Sequence, residues 1–125
     1  MEAKASKLVL IADNYDDVAA LLARFINGTP PYEAIPTKDG QEALERANER
    51  RSDAAILDID MPRIGGIEAA CIMWQMFGER RPLLVAITGR ESLFEIVLSN
   101  VFDHVLRKPL DPNKLMRLLN DKLGR

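Results

Sequence analysis

The chain has 125 residues, enough for one compact core and too few for two, so a single domain over 1–125 is expected, with its core at about 8–123. Its 17 Lys and Arg against 19 Asp and Glu leave a net charge of -2, which gives no electrostatic footprint for direct binding to nucleic acid or to an anionic membrane. The lone Cys71 excludes an internal disulfide and a cysteine-rich metal cage, and no run approaches the roughly 20 apolar residues of a membrane span, which together suit a cytoplasmic protein.

Short apolar runs alternate with amphipathic stretches, the pattern of β–α units building a parallel sheet covered on both faces. The first predicted strand is Leu8 to Ala12. In the helix that follows, Val18, Leu21, Leu22, Phe25 and Ile26 fall at i, i+3, i+4, i+7 and i+8, which predicts one buried face. Asn27-Gly28-Thr29-Pro30-Pro31 stops that helix, with a left-handed cap residue expected. The second strand, Tyr32 to Thr37, holds Glu33 and Pro36 and so belongs at a sheet edge.

Asp39-Gly40-Gln41-Glu42 opens a second helix that turns Ala43, Leu44 and Ala47 inward. Ala54 to Leu57 forms the third strand. A third helix begins near Gly66 and is predicted to bury Ile67, Ala70, Cys71, Trp74 and Phe77, leaving Met73 and Met76 on its exposed flank. The fourth strand is Leu83 to Thr88, and a fourth helix spans about Glu91 to Ser99, where Phe94, Ile96, Val97 and Leu98 spread around the axis instead of forming a stripe. His104 to Leu106 makes a short fifth strand at the other edge. Asp111-Pro112, a cap followed by proline at the first helical position, begins a last helix that buries Leu115, Leu118 and Leu119. The fold class is α/β, a five-stranded parallel sheet with five helices on both faces.

In an open parallel sheet ligands bind outside the carboxyl ends of the strands. Those ends carry Asp13-Asn14, Asp58-Ile59-Asp60, Thr88-Gly89 and, through Arg107, Lys108-Pro109. Carboxylates gathered there repel one another and require a hard divalent cation such as Mg2+, an ammonium group, or both. Lys108 and a metal would neutralise the oxygens of an incoming phosphoryl group, and the Thr88 hydroxyl would donate to one of them. The set points to phosphoryl transfer onto a carboxylate. His104, the only histidine, lies in a short strand and is not placed to be a phosphodonor.

The string Ile56-Leu57-Asp58-Ile59-Asp60-Met61-Pro62-Arg63-Ile64-Gly65-Gly66 resembles the phosphoacceptor loop of the receiver domains of two-component signalling. Thr88-Gly89 and Lys108-Pro109 resemble that family's later motifs, and the likeness runs from about Leu8 to Leu123. It implies a flavodoxin-like sheet in the order 2-1-3-4-5. It also implies Asp58 as phosphoacceptor, Thr88 and Lys108 on the phosphoryl oxygens, the backbone carbonyl of Asp60 as a metal ligand, and a cis Lys108–Pro109 bond. The partners implied are a histidine kinase or histidine phosphotransfer protein and a downstream protein target.

Three departures stand out. Receivers usually end strand one with two adjacent acids, whereas this chain offers Ala12-Asp13-Asn14. Either Asp13 is the second acid after Ala12, or it is the first and Asn14 replaces the second. The Leu21-Leu22 and Phe25-Ile26 pairs favour the latter, which makes Asp13, Asn14, Asp58 and the Asp60 carbonyl the expected Mg2+ ligands, with weakened affinity. Val105 stands where receivers commonly carry Tyr or Phe as a switch ring. Asp60 and Arg90 are oppositely charged residues expected to flank the site. Two other readings compete: a degenerate receiver that binds partners without phosphorylation, and a haloacid dehalogenase-type phosphatase. The latter matches Asp58-Ile59-Asp60 but fails on layout, because its nucleophile lies on the first strand.

Overall fold

The computed structural model describes residues 6–89, 96 and 99–124. Five parallel strands, β1 (Lys7–Ala12), β2 (Tyr32–Thr37), β3 (Ala54–Asp58), β4 (Leu83–Thr88) and β5 (His104–Arg107), form one sheet in the order β2-β1-β3-β4-β5. The helices are α1 (Asp16–Asn27), α2 (Gly40–Glu49), α3 (Gly66–Phe77) and α4 (Pro112–Leu123), with a short 3-10 turn at Gly78–Arg80. The helix expected at about Glu91 to Ser99 lies outside the described residues except for Ile96 and Ser99, and Arg90 lies outside them as well.

Every residue of β3 is buried, and β1 and β4 are buried beyond their first residue, as central strands covered on both sides must be. Alternation along the strands sorts the core into two layers. Val9, Ile11, Ile56, Val85 and Ile87 meet Leu22, Ile26, Leu115 and Leu119 beneath α1 and α4. Leu10, Ala12, Ala55, Leu57 and Leu84 meet Ala43, Ala47, Ala69, Ala70 and Met73 beneath α2 and α3. Asp39 caps α2 by accepting the Glu42 amide at 2.8 Å, while the Glu42 carboxylate accepts from the Lys38 amide at 3.0 Å. Asp111 caps α4 through the Asn113 amide.

The helical faces differ from expectation at three places. On α1 the buried row is Ala19, Leu22, Ala23 and Ile26, while Val18, Leu21 and Phe25 are exposed. The apolar arc of α1 is wider than the sheet can cover, and the side that carries the alanines is the one packed on it. On α3 the buried row is Gly66, Ala69, Ala70 and Met73, so Met73 is core and Trp74 is not. The Trp74 indole lies under the Arg81 guanidinium, 3.9 Å from the ring centre, and donates its N–H to the Val101 carbonyl at 2.9 Å. That donor would be costly to bury among alanines without a partner. Gly28 has φ -82° instead of a left-handed conformation. The turn closes through the Gly28 and Thr29 amides on the Arg24 and Ile26 carbonyls and the Thr29 hydroxyl on Phe25, so no positive φ is needed.

Strand register positions the site. Ala12 pairs with Leu57, Asp58 with Ile87, and Thr88 with Arg107. Asp13, Asp58, Thr88 and Lys108 therefore leave the sheet at one level. Gly66 then sets how close α3 comes to that level, since a Cβ there would stand 2.5 Å from the Asp58 carbonyl oxygen. Gly66→Ala is expected to push α3 off β3 and to destabilise the fold by about 1–3 kcal/mol, measured by urea unfolding; an unchanged midpoint would show that the helix yields freely.

Candidate functional site

β1, β3 and β5 each deliver one charged side chain into the crevice. Asp58, only 2% exposed, closes β3, and its Oδ2 accepts from Lys108 Nζ at 3.0 Å. Asp58 Oδ1 accepts from the Asp60 amide at 3.2 Å, which ties the carboxylate to its own loop. Asp13, 1% exposed, stands across from it with Oδ2 3.9 Å from the same ammonium. Lys108 reaches both acids from the chain just after β5. Its backbone amide donates to the Thr88 carbonyl at 2.9 Å, and the following Lys108–Pro109 bond is cis.

Asp13 divides its two oxygens between two tasks. Oδ1 accepts from the Tyr15 amide at 2.9 Å and shapes the entry to α1. Oδ2 is buried and has no hydrogen-bond partner. Burial pushes the Asp13 carboxyl above its ordinary pKa; the Tyr15 amide opposes the rise, the Asp58 charge adds to it, and Lys108 opposes it. A buried acceptor oxygen facing a second carboxylate is suited to a cation. Magnesium takes only one or two carboxylates and completes its shell with water, so this donor set fits it. Among the described residues no three His, Cys, Asp or Glu side chains cluster, so the acidic side-chain donors are these two.

Of the other predicted site residues, Asn14 is exposed in the bend after Asp13, and Asp60 is exposed beyond β3. The Thr88 side chain is buried at the end of β4, and its hydroxyl donates to the Gly89 carbonyl at 2.7 Å. Val105 packs against the cluster of Ile59, Ala86 and Ile96, as Phe102 does, so among the described residues the aromatic ring there comes from residue 102.

Two features were not foreseen in the sequence. The Tyr15 ring stands 5.5 Å from Lys108 Nζ, a cation–π contact beside the crevice. Arg63, with φ of 64°, pairs its guanidinium with the buried Asp39, and the Gly40 amide donates to the Ile64 carbonyl at 3.2 Å, joining the loop after Asp58 to the start of α2. Burial works against the Asp39 carboxylate, but the Glu42 amide, Arg63 and Lys38 hold its pKa below the ordinary value. Neither contact has a local signature, because each joins residues far apart in the chain.

The model of the response regulator receiver domain matches residues 9–120. This chain belongs to that family. Response regulator MprA of Mycolicibacterium vanbaalenii is 34% identical over 121 residues, covering 94% of this chain and 50% of that protein. The alkaline phosphatase synthesis transcriptional regulatory protein PhoP of Bacillus subtilis is 28% identical over 112 residues, 88% of this chain and 45% of that protein. The receiver thus spans about half the length of these relatives. Among solved structures, chemotaxis protein CheY4 of Vibrio cholerae superposes with TM-score 0.83 at 24% identity, covering 95% of this chain and 100% of that one. A CheY-like receiver domain protein of Methanospirillum hungatei gives 0.86 at 22% identity, covering 96% and 95%. At those identities the likeness speaks to fold alone. No helix among the described residues of this receiver is long and apolar enough to cross a membrane.

The raised Asp13 pKa has a sign that can be checked. Between the unfolded value near 3.8 and the higher folded value, the folded receiver binds more protons than the unfolded chain, so stability falls as pH rises through that window. Above it the full cost of the buried charge is present. Asp13→Asn should therefore raise metal-free stability at neutral pH, by about 1 kcal/mol, and the gain should vanish as pH falls below the window. Thermal unfolding with chelator across pH measures it; a variant less stable at pH 7 would show that Lys108 already neutralises Asp13.

Proposed function

We propose that this receiver accepts a phosphoryl group on Asp58 from the phosphohistidine of a histidine kinase or histidine phosphotransfer protein, and then changes its binding to a downstream protein. The 3.0 Å contact between Lys108 Nζ and Asp58 Oδ2, made where β3 ends, is the observation that carries this reading. An Asp58 oxygen attacks phosphorus, the phosphorus–nitrogen bond breaks, and its electron pair leaves with the imidazole, giving an acyl phosphate. Lys108, already aimed at the attacked carboxylate, follows charge onto the phosphoryl oxygens. The Thr88 hydroxyl exchanges the Gly89 carbonyl for a phosphoryl oxygen.

Asp13 and Asp58, with the Asn14 side-chain carbonyl and the Asp60 backbone carbonyl, would hold Mg2+, which when bound supplies charge neutralisation and a template for the phosphoryl oxygens. The module signals and does not turn over a substrate; its own hydrolysis of the acyl phosphate is slow. The near-balanced charge supports a protein target in preference to nucleic acid for these residues. Val105 has little rotamer freedom and no ring, so a response travels through movement around Thr88 or uses another face.

Intact mass after incubation with acetyl phosphate and Mg2+ tests the reading. The wild type should gain one phosphate and Asp58→Asn none. A wild type that stays unmodified with either acetyl phosphate or beryllofluoride would make it a phosphorylation-independent binding module. Asn14→Asp restores a negative ligand and should tighten Mg2+ binding by roughly tenfold in calorimetry, since ligand charge tunes affinity for hard cations; equal affinities would remove Asn14 from the metal site.

A further inference from the structure

The loop that follows the acceptor, from Ile59 to Gly65, is tied to the protein at both ends. Near Asp58 the ties go to the sheet: the Ile59 amide donates to the Ile87 carbonyl at 3.1 Å, and the Asp60 amide donates to Asp58 Oδ1 at 3.2 Å. At the far end they go to the start of α2. There the Gly40 amide donates to the Ile64 carbonyl at 3.2 Å, and the Arg63 guanidinium pairs with the Asp39 carboxylate. Gly40 keeps this approach short, since a Cβ on it would overlap the Ile64 carbonyl.

Arg63 is the unusual member of this set. Its φ of 64° lies in the left-handed region, which glycine enters freely and other side chains enter at a cost. A strained residue persists only where its surroundings over-determine it, and such residues gather at functional sites. The Arg63 side chain is 60% exposed, so packing holds it little and the ion pair holds it more. Asp39, by contrast, has a side chain only 5% exposed. One of its oxygens takes the Glu42 amide and the other takes Arg63. A carboxylate so far out of water needs a counter-charge, so α2 holds Arg63 as firmly as Arg63 holds the loop.

We propose that Arg63 is a positioning residue for the Mg2+ site: through its ion pair with Asp39 it fixes the loop after Asp58, so that the Asp60 backbone carbonyl is presented to a cation held by Asp13 and Asp58. This role rests on the phosphoacceptor reading given above. Magnesium demands near-ideal octahedral geometry, so a ligand carried on a loose loop costs affinity. Arg63 acts through the backbone it shares with Asp60, and its effect on the metal is opposite in sign to that of its charge. A neighbouring cation by itself repels Mg2+, whereas a cation that orders a ligand strengthens binding.

Calorimetric titration of the full chain with Mg2+ is the test, in the wild type, Arg63→Asn, Asp39→Asn and the double variant, with circular dichroism to show that each is folded. Asparagine tolerates a left-handed φ at 63 and still caps the Glu42 amide at 39, so the ion pair alone is lost. Arg63→Asn should raise the Mg2+ Kd by about three- to tenfold, less than is usual for partners of buried metal ligands because this arginine is exposed. Asp39→Asn should weaken binding to a similar extent, and the double variant no further than either single change, since both remove one pair. Arg63→Lys, which keeps the charge, should lose less than Arg63→Asn. Unchanged or tighter binding in Arg63→Asn would overturn the proposal, as would additive losses in the double variant, and the pair would then be a tie for the fold only. If Asp39→Asn does not fold, the sign of the Arg63→Asn effect still decides. A wild type that binds no Mg2+ would instead sink the metal site itself, and this role with it.

Discussion

Two carboxylates, Asp13 and Asp58, are held almost out of water within reach of one ammonium group, and this arrangement governs the rest of the molecule. Acids so placed repel one another and lose hydration, so the crevice exists only while a cation compensates them. Lys108 provides that compensation in part: it bonds Asp58 directly but remains 3.9 Å from the buried Asp13 Oδ2, which has no hydrogen-bond partner. A buried ion pair of this kind is weak evidence for stability. What it supplies is a set of charges oriented toward one crevice.

The fold serves this constraint through register and close approach. Parallel pairing brings the ends of β1, β3 and β4 to one level, and the β4–β5 register carries Lys108 to the same place. Small residues then let the layers close up around the crevice. Gly66 stands against Asp58, and Gly40 stands against Ile64 in the loop beyond it. The Asp39–Arg63 pair fastens that loop to α2, so the segment after Asp58 is braced by α2 and α3 on one face of the sheet.

α1 shows how the two faces of one helix divide their work. Its alanines and the Leu22–Ile26 pair give a close-packed inner face, leaving larger side chains outside. Tyr15 belongs to both regions: its amide shapes Asp13, its ring borders Lys108, and its position begins the exposed row. The exposed side of α1 and the charged crevice therefore share a boundary.

The sequence by itself determined the strands, most helix starts and the acidic and lysine residues of the crevice. Continuous apolar runs, the caps at Asp39 and Asp111 and strand-end polarity are local properties that survive without knowledge of neighbours. It also put β2 and β5 at the edges, because Glu33, Pro36 and a short apolar run disqualify a central place. Tertiary structure alone decided which arc of α1 and α3 faces inward, since periodicity reports an apolar stripe but not the width a sheet will accept. It alone turned Trp74 outward beneath Arg81, brought Tyr15 to Lys108 and Arg63 to Asp39, and left one oxygen of Asp13 without a hydrogen bond. Each of these depends on distances between segments far apart in the chain, which no local pattern of residue types encodes.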